Sequence, residues 1–144
     1  MELSLSELRR AVEAQCRRRN CAYALLFGSV ARGEARPYSD VDVAVKFRER
    51  LSPVEYAMET ADMALCLEEE LGVSVDVVAI NAADSLLKYE VFSSGVLLYC
   101  EDLDEYVDDL INSVDEWLDF SYHFNKFYER VLSEMRDAVA GREG

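Results

Sequence analysis

A chain of 144 residues with 51% hydrophobic and 10% aromatic side chains can bury a core of its own, which excludes a disordered segment. Its formal net charge of −14 excludes bulk electrostatic binding of nucleic acid, which needs clustered Lys and Arg. Four scattered cysteines (Cys16, Cys21, Cys66, Cys100) without a Cys-x-x-Cys pair, and one histidine, exclude a Cys/His zinc site and leave buried reduced thiols as the expectation.

The opening Met1-Glu2-Leu3-Ser4 does not read as a secretory signal, and no apolar run approaches the roughly 20 residues of a membrane span. The expected compartment is the cytoplasm, with no membrane partner. In chain order, Leu3, Leu5, Leu8 and Val12 mark a helix over 4–19, capped by Ser4 or Ser6. Residues 22–27 form a short continuous apolar run, the mark of a buried strand. Ser29–Ala35 reads as a short helix that Ser29 could cap, and Arg36-Pro37-Tyr38-Ser39 as a turn. Val41, Val43, Val45 and Phe47 alternate with Asp42, Ala44 and Lys46, the period of a strand. Ser52-Pro53 with Glu55 opens a helix that Gly72 stops.

Val73–Ile80 is a third strand, Asp84–Ser94 a helix ending at Gly95, Val96–Tyr99 a fourth strand, and Leu103–Ala140 helical almost throughout. No Pro, Gly or Ser-rich linker divides the chain and no repeat is present. The fold class is α/β (α+β), a small mixed β-sheet flanked by helices. Residues 1–100 form the domain that carries the chemistry, and 101–144 a long C-terminal helical extension of it.

The chemistry gathers at Gly28-Ser29-Val30-Ala31-Arg32-Gly33, then Ser39-Asp40-Val41-Asp42, then Asp76 inside the apolar run Val73–Val78. Asp40 and Asp42, two residues apart, project from one face of their strand. Carboxylates held side by side resist ionising unless a divalent cation sits between them. Gly28 allows a sharp turn and close approach of a ligand, and the following helix N-terminus favours an anion. Arg32 could add charge to that cradle. Asp40, Asp42 and Asp76 offer the hard oxygen ligands Mg²⁺ takes, and two such ions about 3.5–4 Å apart serve phosphoryl or nucleotidyl transfer. Each piece alone has a blander reading, a plain turn or a surface edge. Asp76 is the most telling, because a charge within an apolar strand is expected to be paired or functional.

Gly28-Ser29-x-x-Arg32-Gly33 followed by Ser39-Asp40-x-Asp42 resembles the signature of the nucleotidyltransferase (DNA polymerase β-like) superfamily. Glu90-Val91-Phe92-x-x-Gly95-x-x-Leu98-Tyr99 and the tail Tyr106…Trp117-Leu118-Asp119-Phe120…Phe127-Tyr128 resemble its minimal nucleotidyltransferase (MNT) branch, the antitoxin-type partners of HEPN toxins. The resemblance implies a nucleotidyltransferase-like fold, with Mg²⁺ on Asp40 and Asp42 and Asp76 completing a catalytic, metal-binding triad. It implies Gly28 and Ser29 on the nucleotide triphosphate, with Arg32 and Ser39 supporting the loop or the phosphates. It also implies ATP as donor and transfer of AMP to a tyrosine hydroxyl of a partner HEPN toxin. Transfer to a small-molecule hydroxyl, or neutralisation of the partner by binding alone, are the alternatives.

Residues 101–119 hold nine acidic side chains and no basic one, a solvated surface first and a docking face for a basic partner second. The stripe Trp117, Phe120, Phe124, Phe127, Val131 and Met135 reads as core first, with homo- or hetero-oligomerisation through the helix as the alternative. His123 reads as a packing or surface residue. Lys46, on the strand face of Asp42, and Lys88 are each either solvated or phosphate-facing.

Overall fold

A computed structural model describes residues 3–34 and 39–143. In chain order the elements are α1 (Leu5–Arg19), β1 (Cys21–Phe27), α2 (Gly28–Ala31), β2 (Val41–Phe47), α3 (Pro53–Leu71), β3 (Val75–Ala79), α4 (Ser85–Ser94), β4 (Val96–Cys100) and α5 (Leu103–Glu143). A short 3-10 turn, Ile80–Ala82, follows β3. The strands form one mixed sheet in the order β3-β2-β1-β4, with β1 antiparallel to both neighbours and β2 parallel to β3. The expected mixed sheet flanked by helices is what the chain adopts.

Local chemistry sets the boundaries. Ser4, not Ser6, caps α1 by accepting from the Glu7 amide at 3.1 Å, and Asn20 ends it in the left-handed conformation, φ 57°. Ser52 and Glu55 satisfy each other's amides reciprocally at 3.2 Å, Pro53 occupies the first turn of α3, and Gly72 closes it at φ 69°. Asp84 caps α4 by accepting from Leu87.

The sheet is covered on both sides. Ala24, Leu26, Val43, Val45 and Val77 face Leu8, Val12, Met63 and Leu67 of α1 and α3. Tyr23, Leu25, Phe27 and Ala44 face Val91 and Phe92 of α4, with Tyr106 and Leu110 of α5 against them. β1 is central and buried along its whole length, hence its unbroken apolar run. Cys16 and Cys21 are buried thiols, whereas Cys66 and Cys100 are half-buried, and all four are free. No helix is long and apolar enough to cross a membrane among the described residues.

Three expectations need correction. Of the helix expected over Ser29–Ala35, Ala35 lies outside the described residues, and what is described is one turn, Gly28–Ala31, because Gly33 turns the chain away at φ 73°. Of the turn expected at 36–39, residues 36–38 lie outside the described residues. The third strand is Val75–Ala79 rather than Val73–Ile80, since the chain coils into the 3-10 turn at Ile80. The aromatic stripe is not core: Phe120, Phe124, Phe127 and Met135 are each more than half exposed. Only the first half of α5 packs on the sheet and α4, and Ser113 is its one buried residue among those described.

Candidate active site

Strand register assembles the site. Phe27 at the end of β1 pairs with Asp42 in β2, and Asp42 pairs with Asp76 in the parallel neighbour β3. Directly opposed residues lie about 4.8 Å apart across a ladder, so the two carboxylates are neighbours on one face. That face is the α4 side of the sheet, since Ala44, two residues on, belongs to the α4 cluster.

Gly28 follows Phe27 at once. Its φ of 77° lies in the left-handed region, and a Cβ placed on it would overlap the Asp42 carboxylate. The backbone therefore passes Asp42 as closely as it does only because residue 28 has no side chain. The turn closes with Arg32 N–H donating to Gly28 at 3.2 Å, Gly33 to Val30 at 3.2 Å and Glu34 to Ser29 at 2.9 Å. Ser29 lies within this turn; Phe27 precedes the turn in the capping position and no side chain caps it. The expected capping role of Ser29 is thus corrected.

Arg32 reaches back across the mouth of the site. Its guanidinium meets Glu34 at 3.1 Å and Glu90 of α4 at 3.7 Å. Asp42 is half-buried, and its carboxyl is pushed above the ordinary carboxylate range, first by burial and then by the charges of Asp76, Asp40 and Glu90. Arg32 acts on it in the opposite sense. Asp40 and Asp76 are exposed. Asp76 is therefore no buried charge: β3 is the edge strand, and one of its faces meets solvent where Asp76 stands. Ser39 is half-buried just ahead of Asp40. Sequence reading attaches no chemical role to Glu90; its approach to Arg32 and Asp42 depends on α4 crossing beside α2, for which no local signal exists.

Among the described residues no three Asp, Glu, His or Cys side chains close into a ready metal cage. The donor chemistry nevertheless fits a hard divalent cation. Asp42 with Asp76 and Asp40 offers carboxylate oxygens whose mutual repulsion a cation would reverse, and the bare Gly28 backbone leaves the approach to Asp42 clear for phosphate oxygens.

Lys46 is paired with α5 rather than solvated. It donates to Asp109 of α5 at 3.0 Å, with Glu105 at 4.0 Å. Lys88 lies 4.0 Å from Glu116 of the same helix. Part of the acidic run is thus a partner for the sheet, not only solvated surface. His123 is exposed, 3.4 Å from Asp119 one turn earlier. A cleft of about 680 Å³, lined by Arg18, Arg19, Phe47, Glu59 and Asp62 among others, lies at the Phe47 end of β2. It is remote from the Asp42 end of the strand.

Residues 12–104 match the family described as Polymerase beta, Nucleotidyltransferase. A Methanocaldococcus jannaschii protein that carries the provisional name of a protein adenylyltransferase is 31% identical over 94 residues, 65% of this chain and 97% of that protein. Two solved structures share the fold. One is a chain of a toxin–antitoxin complex with AMP-PNP (TM-score 0.71, 20% identity, 86% of this chain and 98% of that one). The other is a chain of a complex of tri-AMPylated Shewanella oneidensis HEPN toxin with MNT antitoxin (TM-score 0.68, 18% identity, 90% and 99%).

Proposed function

The chain belongs to the polymerase beta nucleotidyltransferase family, and on that premise we propose that it transfers AMP from ATP to a hydroxyl of a partner HEPN toxin, acting as its antitoxin in the cytoplasm. One observation carries the reading: a backbone turn that only glycine permits passes against Asp42, whose strand neighbour is Asp76. A turn of that kind beside paired carboxylates suits a triphosphate brought to divalent cations. The 1–100 segment is the catalytic domain on this reading, and 101–144 its extension.

In this assignment Gly28 and Ser29 hold the triphosphate, Arg32 offsets its charge, and Ser39 supports the loop. Asp40, Asp42 and Asp76 hold Mg²⁺, which when bound would favour the deprotonated acceptor hydroxyl and offset charge on the leaving diphosphate. The acceptor oxygen bonds to the α-phosphorus as the bond to diphosphate breaks, and the hydroxyl proton passes to Asp76 or solvent. Asp76 and Asp40 stand on the solvent side of the site, so the acceptor enters from outside. A tyrosine on a flexible segment of another protein satisfies that geometry, and the neighbouring structures make a HEPN toxin the candidate.

The test is direct. Incubation of the co-expressed toxin with this protein, ATP and Mg²⁺ should raise the toxin's intact mass by one or more AMP units, and Asp42→Asn should prevent it. An unchanged mass in a toxin that is nevertheless neutralised would overturn transfer in favour of occlusion.

A further inference from the structure

The middle of α5 carries a ladder of stacked rings. Trp117 stacks on Tyr89 of α4 with centroids 4.8 Å apart, Phe120 on Trp117 at 5.5 Å, Phe124 on Phe120 at 6.1 Å and Tyr128 on Phe124 at 6.3 Å. Nothing else among the described residues covers it: Phe120 and Phe124 are 52% exposed and Tyr128 54%. At its base lies an apolar hollow of about 330 Å³ between α4 and α5, walled by Leu86, Trp117 and Phe120 with Asp84 and Ser85 at the edge.

Half-exposed Phe120, Phe124, Phe127 and Tyr128, at about 200 Å² per ring, leave on the order of 400 Å² of apolar surface on one ridge. Spacing of i, i+3 and i+4 is the spacing at which a second helix seats its side chains. Charge chooses the occupant. Residues 101–119 carry nine acidic side chains and no basic one, and Asp115, Glu116 and Asp119 flank Trp117 and Phe120 in sequence. A second copy laid alongside in the same direction would bring its own nine acidic side chains of 101–119 against these turns.

We propose that the ladder from Trp117 to Tyr128, with its basal hollow, is a docking ridge for a cationic amphipathic helix of a partner protein. This rests on the protein partner of the preceding section and adds the chemistry of the segment that binds. Apolar side chains of the incoming helix lie on Phe120, Phe124 and Tyr128, one large residue fills the hollow beside Leu86, and its Lys or Arg flank meets the acidic turns near Trp117. Basic charge speeds and orients the encounter, while the ring surface supplies the affinity.

Trp117 is the chain's one tryptophan, so its emission reports occupancy directly. The full chain should be titrated with two synthetic helices of ~18 residues that share one leucine face, with lysine or glutamate on the other. The lysine peptide should shift Trp117 emission and bind at least tenfold tighter than the glutamate peptide. That binding should weaken with salt and fall at least tenfold in the Phe120→Ser/Phe124→Ser variant, whose altered residues are exposed and do not threaten the fold. Equal binding of both peptides, or of neither, would overturn the proposal. So would sedimentation showing self-association that alone shifts Trp117 emission, which would make a second copy the occupant. AMP transfer is read separately from toxin mass. For the unaltered chain, AMP transfer without binding of the lysine peptide refutes the ridge, and binding of the lysine peptide without AMP transfer refutes the reaction.

Discussion

Residue 28 and the Asp42 carboxylate compete for one volume: a Cβ on Gly28 would stand where Asp42 places its Oδ2. The site is therefore written into the backbone before any ligand arrives. Gly28→Ala should lose about 1–2 kcal/mol for the left-handed conformation, with a further loss for displacing Asp42. A misplacement of that order at a reacting centre costs about 100-fold or more in AMP transfer. Urea unfolding together with initial rates would check it, and a variant with unchanged rate would remove the turn from the mechanism.

Asp42→Asn separates stability from activity. Burial, then Asp76, Asp40 and Glu90, hold the Asp42 carboxyl above its ordinary range, so the folded chain binds this proton more tightly than the unfolded one. Stability therefore falls as pH rises from the ordinary carboxylate range through the folded pKa, and stays lower above it. A neutral amide in place of the carboxylate would not carry that penalty, so without Mg²⁺ the variant should unfold at higher urea than wild type at pH 7. The difference should vanish below about pH 3.9. Transfer should drop at least ~100-fold. An equal stability difference at pH 7 and pH 3 would show that charge is not its cause.

What could be read from the sequence was what is local. Ser52, Pro53, Glu55 and Gly72 bounded α3 because caps act within a few residues. The alternation from Val41 to Phe47 gave both the strand and the face of Asp42. Pairings set by the assembled sheet could not be read. Asp76 looked like a buried charge because its neighbours are apolar, but β3 is the edge and Asp76 is open. Lys46 reads as solvated or phosphate-facing because its partner Asp109 is brought to it by α5, and Glu90 joins the site only through packing of α4. The stripe from Trp117 to Met135 had the period of a covered helix, and periodicity does not say what covers it.

Arg19 should matter to folding and not to transfer. Its side chain is only 7% exposed, and its guanidinium holds Glu59 at 2.9 Å, Asp62 at 2.7 Å and Gln15 at 3.0 Å, fastening α1 to α3. It lies at the Phe47 end of the sheet, away from Asp42. Arg19→Met keeps much of the stem packing and loses the charge-assisted bonds; Glu59 and Asp62 are exposed enough to rehydrate, so the loss should be about 2 kcal/mol. Calorimetric unfolding should record it beside an unaltered transfer rate per folded molecule. A rate loss exceeding the folded fraction would contradict this.

The two halves of α5 should behave as different objects. In the first half, Tyr23 of β1 donates to Asp109 at 2.6 Å, Lys46 of β2 donates to the same carboxylate at 3.0 Å, and Tyr106 packs edge-on against Tyr23 at 5.2 Å. Burial, then the hydrogen bond to Asp109 and its charge, push the Tyr23 pKa far up and keep its hydroxyl a donor. Asp109→Ala would leave a buried hydroxyl and a half-buried ammonium without that acceptor, at a cost of about 1–3 kcal/mol. Stopping the chain after Asp102 also removes Tyr106 and Leu110 from the core beside Phe92, and should bring the total near the whole stability of a small domain, about 5 kcal/mol. Stopping after Ser121 removes almost entirely exposed helix and should leave unfolding within ~0.5 kcal/mol of the full chain. Nucleotide binding by the chain ending at Ser121 should be unchanged, since it retains the sheet that carries Asp42 and Asp76 and the Gly28 turn beside it. Circular dichroism and urea titration of the two truncations side by side decide it: equal stability of the two would mean that the Tyr23–Asp109 contact does not hold α5 to the sheet.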